Sequence, residues 1–133
     1  MGAWGTGIFD NDHAADWSAS LEEAADPLAF LSETLTDAAD EKDLLDLHVA
    51  SAAAAAAAVV ASTLPDGPPV DPKHGPEGLE LPDLSELALL ALRALDRISA
   101  DDSEWRDLWD EVGQLTEAQD HLDTVATALQ QST

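Results

Sequence analysis

The sequence contains no cysteine, which excludes disulfides and thiolate metal sites together. Basic residues are nearly as scarce: five lysines and arginines stand against 28 aspartates and glutamates, a formal net charge of −23 in 133 residues. No apolar run suits a membrane, because the most apolar stretch, residues 44–61, is largely methyl-bearing and carries Asp46 and His48 near its start. No basic segment followed by an apolar run opens the sequence, so a secretory signal is not expected and a cytoplasmic protein is. No stretch alternates with period two over a useful length, so no sheet is expected. Gly-x-Ser-x-Gly, a phosphate-cradling glycine loop, His-x-x-x-His and His-Glu-x-x-His are all missing. A nucleophile–base pair cannot be assembled, no cofactor is implied, and the composition points away from an enzyme.

What is present is acid, spread along the whole chain rather than gathered in a tail. Such a field repels nucleic acid and anionic lipid and draws basic molecules in. The leading expectation is a non-catalytic binding protein recognising a basic partner protein, as an immunity protein, antitoxin or inhibitor does. Direct contact with nucleic acid or a membrane is not expected of it. A purely solubilising surface is the plain alternative, and a self-assembling helical module is another; the sequence specifies no oligomeric state.

The densest segment is MGAWGTGIFDNDHAADW at residues 1–17. Gly2, Gly5 and Gly7 bracket Trp4 and prevent a regular helix, so Trp4 is expected to anchor an N-terminal hook on a helical body. Phe9 precedes Asp10-Asn11-Asp12, three capping types. With Asp10 as N-cap, Phe9 falls at N′ and Ala14 at N4, the spacing of a hydrophobic staple. Asp12 in the first turn suits the helix dipole. Ala14, Trp17, Leu21 and Ala24 then share one face.

Gly2-Ala3-Trp4-Gly5-Thr6-Gly7-Ile8-Phe9-Asp10-Asn11-Asp12, continuing to Ala15-Asp16-Trp17, resembles the opening signature of an uncharacterised bacterial family, domain of unknown function 4259. A second stretch, Asp102-Ser103-Glu104-Trp105-Arg106-Asp107-Leu108-Trp109, resembles that family's Ser-Glu-Leu-x-x-Leu-Trp segment. Trp105 stands where the pattern has an aliphatic residue, and the last helix lacks the pattern's tryptophan and arginine. The resemblance implies a whole-chain match and supports a helical fold; it brings no reaction with it.

In order, Asp26-Pro27 is a helix restart, with Leu28, Leu31 and Leu35 on one face. Lys42–Thr63 is predicted as the central helix, through seven consecutive alanines of high helix propensity. A Pro/Gly-rich loop follows at about residues 64–82. Pro82-Asp83 opens a fourth helix, with Asp83 and Glu86 as an approximate capping box and Leu84, Leu87, Leu90, Ala91, Ala94, Leu95 and Ile98 facing inward. A short fifth helix carries Trp105, Leu108, Trp109 and Val112, and Gly113 ends it. Thr116-Glu117-Ala118-Gln119 reads as a capping box for a sixth, burying Leu122, Val125 and Leu129. The expected fold is all-α: one domain over residues 1–133, a bundle of five to six helices closed by the glycine/tryptophan hook.

Candidate binding residues are Trp4, Asp10, Asn11, Asp12, Asp16 and Trp105. Asp12, His13 and Asp16, with Asp10 and Asn11 beside them, offer a metal-binding alternative for a hydrolase or sensor, because carboxylates one turn apart share a helix face. Caps and first-turn acids account for most of the same residues without a ligand. His48 is expected as a hydrogen-bonded core histidine, and Trp109 as core. Asp120-His121-Asp123 are helix neighbours that point apart. Arg93, Arg97 and Arg106 should be held in ion pairs, Arg106 with Asp102 or Asp110.

Overall fold

A computed structural model describes residues 7–64, 67 and 84–131. Among them are six α-helices: α1 Asp12–Glu23, α2 Pro27–Ala39, α3 Leu47–Ser62, α4 Ala88–Ile98, α5 Glu104–Glu111 and α6 Leu115–Gln131, with one 3-10 turn at Ser85–Leu87 before α4. The expected all-α bundle is present. The Trp4 hook, Pro82-Asp83 and most of the Pro/Gly-rich loop lie outside the described residues. None of the described helices is long and apolar enough to cross a membrane.

Helix α3 is the axis, contacting α1, α2, α4, α5 and α6. Residues 50–61 are all buried, eight of them in one alanine run from Ala50 broken only by Ser51. Methyl side chains let neighbouring helices approach closely, and those neighbours supply the bulk: Leu21, Leu31, Leu35, Ile98, Leu122 and Leu129 are essentially inaccessible. This helix starts at Leu47 rather than Lys42. Leu45 is withheld from it by an isolated parallel bridge to Ser103, its amide donating to the Asp102 carbonyl and its carbonyl accepting from Glu104, both at 2.9 Å. Asp46 then caps, accepting from the His48 amide at 2.7 Å, and the Glu104 carboxylate accepts from the Leu47 amide at 3.3 Å. Leu44, left outside the helix, is exposed.

The cap of α1 is Asn11, not Asp10. Asn11 Oδ1 accepts from the Ala14 amide at 2.9 Å while its Nδ2 donates to the Ile8 carbonyl at 3.2 Å. A carboxylate can only accept, so only the amide serves the helix start and the preceding turn together. Phe9 is nonetheless buried, and Trp17 packs inward as expected, stacked on Phe30 with ring centroids 5.8 Å apart and donating to Thr34 Oγ1 at 3.0 Å. Asp26 caps α2 with Pro27 in its first turn, matching the sequence reading.

Helix α4 begins only at Ala88: of the expected inward stripe, Leu84 and Leu87 are buried at the 3-10 turn before it, Ala91, Ala94, Leu95 and Ile98 are buried within it, and Leu90 is half-buried. Helix α5 closes in a Schellman motif. Gly113 takes φ +75° and donates to the Asp110 carbonyl, and Gln114 donates to that of Trp109. The reversal delivers the chain directly into α6 at Leu115, so Thr116 sits inside the first turn and the predicted capping box does not form there. Gly67 folds back on the end of α3; a Cβ there would lie 1.6 Å from the Ala61 carbonyl oxygen.

Arg97 ties the segment before α3 to the rest. Its guanidinium donates to the carbonyls of Glu41, Asp43 and Asp102 and to the Asp102 carboxylate at 3.0 Å. Asp102 therefore pairs with Arg97, not Arg106. Arg106 instead faces Asp101 at 3.8 Å and donates to the Ser99 carbonyl, because the bridge to Leu45 turns residue 102 toward α4.

Candidate functional site

Helix α1 enters the bundle beside the start of α3, and α5 crosses the same end. Between them lies a cavity of about 230 Å³. Gly7, Ile8, Asn11, Asp12 and His13 form one wall, and Leu47, Ser51 and Ala54 of α3 the floor. Trp105, Leu108 and Trp109 of α5 close the far side, with Ala118 and Leu122 of α6 behind them. Both tryptophans are buried, at 7% and 6% exposure, whereas Asp12 is exposed and brings the cavity to the surface.

The wall follows from local structure. The Asn11 cap fixes the turn at residues 7–10, where the Asp10 amide donates to the Gly7 carbonyl at 3.0 Å. That cap sets Asp12 and His13 at the first turn of α1, toward α3. Trp105 and Trp109 lie one turn apart on α5 by their spacing, and Glu104, bonded to the Leu47 amide, ties that helix to the start of α3 so that both line the opposite wall.

On the other side of His13 is a second depression of about 310 Å³, lined by Asp16, Trp17, Ser20, Phe30, Thr34, Asp37, His48, Val49 and Ala52. His48 is exposed, contrary to the expectation of a core histidine, because helix α3 begins only one residue before it and its first turn reaches the surface. Its ring lies 4.8 Å from that of His13, tilted by 47°, and the pair forms the ridge between the two hollows.

Of the residues singled out in the sequence, the cavity gathers Asn11, Asp12, His13 and Trp105. Asp10 is half-buried in the turn beside it, Asp16 faces the second depression, and Trp4 lies outside the described residues. The metal alternative needs Asp12, His13 and Asp16 together, but Asp12 and Asp16 border different hollows. Among the described residues no three of His, Asp and Glu gather to hold an ion. Ser51, Leu108 and Leu122 carried no functional signal in the sequence, although Ser51 is the polar interruption in the alanine run.

A family model described as Domain of unknown function (DUF4259) matches residues 2–121. Its span holds both stretches that meet across the cavity. No curated protein and no solved structure matches the chain.

Proposed function

The chain belongs to the DUF4259 family, and from that premise we propose that it is a non-catalytic binding protein whose acidic surface recognises a basic partner protein, in the manner of an immunity protein or antitoxin. One observation carries the reading. Arg93, Arg97 and Arg106 face Asp40, Asp102 and Asp101, so three of the four described basic side chains, all but Lys42, are matched to carboxylates of the chain itself. No described Asp or Glu is buried. The outward-facing acids of α5 and α6, among them Asp107, Asp110, Glu111, Glu117, Asp120 and Asp123, keep an uncompensated negative field. A field of this kind accelerates encounter with a basic protein and discriminates against acidic ones.

The test is affinity capture on the immobilised full chain at low salt, followed by calorimetry on the purified captive. The reading expects one basic protein, bound at a fixed stoichiometry and surviving physiological salt. Retention of basic proteins simply in proportion to their charge, or of none, overturns it.

A further inference from the structure

The cavity between α1, α3 and α5 combines features that single out one ligand chemistry. Its volume, about 230 Å³, exceeds the roughly 150 Å³ that accommodates a benzene molecule. It falls short of the roughly 300–1,000 Å³ typical of drug-sized ligands, so the space suits a body of about one ring's bulk. Leu47, Leu108 and the two indoles supply apolar contact. Polar groups are few among the described lining residues: Asn11, whose side chain is engaged by the Ala14 amide and the Ile8 carbonyl; Asp12, the carboxylate at the mouth; His13, whose ring packs beside His48; and Ser51, 5% exposed, by which α3 offers a hydroxyl to the floor. Among the described residues no lysine or arginine lines the space, which disfavours an anion. The Asp12 carboxylate attracts a cation directly, the two indoles offer a flat apolar face to the body that carries it, and the net charge of −23 concentrates cations around the whole molecule.

We propose that this cavity binds a small organic cation, an ammonium group carried on a single ring or an apolar body of similar size, with the charge toward Asp12 and the body against Trp105 and Trp109. The site is independent of the protein-partner reading: it would remain if no basic protein bound.

Benzylammonium and benzyl alcohol are the probes, alike in shape and differing in charge. Titrations of the full chain run in about 0.5 M salt, where the field of distant carboxylates is largely screened. Nuclear magnetic resonance follows the indole N–H signals of Trp105 and Trp109. The proposal expects both signals to move with saturation, and benzylammonium to bind about fivefold or more tighter than the alcohol. Asp12→Asn, at an exposed position, should erase most of that preference, whereas Asp37→Asn in the neighbouring hollow should leave it intact. Equal binding of amine and alcohol would identify a merely apolar void and overturn the proposal. So would unmoved indole signals at millimolar probe, or equal losses from Asp12→Asn and Asp37→Asn.

Discussion

Replacing Arg97 by methionine keeps an apolar stem and deletes the guanidinium, which makes it a direct test of what fastens the chain before α3. Four hydrogen bonds are lost, three of them to backbone carbonyls 54 to 56 and five residues away in sequence. Bonds from a charged donor contribute about 1.5–3 kcal/mol each where the acceptor is dry. Here Glu41 is half-buried and Asp43 and Asp102 are exposed, so water re-solvates much of what is vacated. About 1 kcal/mol per carbonyl is the better figure, giving a total of about 2–4 kcal/mol. For a chain of this length that lowers Tm by about 7–14 °C. The ionic part is small, because the Asp102 side chain is 59% exposed; Asp102→Asn should cost under about 1 kcal/mol. Thermal melts followed by circular dichroism, at low salt and near 1 M, separate the two contributions. Directional bonds to the backbone predict that the Arg97→Met deficit survives high salt and that Arg97→Lys recovers less than half of it. A deficit that vanishes in high salt, or full rescue by lysine, would refute this account and leave only charge attraction.

Ser103→Ala should be neutral or slightly stabilising in urea melts, although Ser103 occupies the N-cap of α5. Its hydroxyl is buried without a partner and makes no capping bond, so the usual cap loss of about 1 kcal/mol has no basis here. Ala55→Leu, at a fully buried position on the axis helix, should destabilise by about 1–3 kcal/mol in the same assay, since the neighbours leave no room. Gly113→Ala should cost about 1–2 kcal/mol through its positive φ alone, because an added Cβ meets nothing within 4 Å; Gly113→Asn should cost less. The wild-type Tm should rise steadily between about 0.02 and 0.5 M sodium chloride as self-repulsion from the net charge is screened; a flat or falling curve would count against that origin.

The elements most legible in the sequence are those decided locally. Asp26-Pro27 could only start a helix, Gly113 could only end one, and the Trp17–Leu21 face had one inward direction. Boundaries decided by distant contacts were not legible. Asp40, Asp43 and Asp46 are all competent caps ahead of α3, and the choice of Asp46 is made by Ser103, far along the chain, pairing with Leu45. His48 reaches the surface for the same reason: the later helix start puts it in an exposed first turn. Asn11 prevails over Asp10 through a donor that a carboxylate lacks. Thr116 loses its capping role because the turn at Gly113 already delivers a helical chain. The cavity was visible only as two separate aromatic and acidic stretches. Nothing in their spacing says that they face each other, since α3 and α5 are brought together by backbone pairing and by one carboxylate, Glu104, reaching a neighbour's first amide.

The alanine coat of α3 has a mechanical consequence. A cylinder studded with uniform methyl groups has little relief by which its neighbours can hold it lengthwise, as bulky interlocking side chains would. Its position along its own axis is therefore held at its first turn, by Glu104 on Leu47 and by the short backbone tie at Leu45. Leu47, Ser51 and Ala54 ride on that same shaft. Loosening the end would let the shaft slip and change the shape of the hollow beneath the indoles, while leaving the interior as greasy and nearly as full as before.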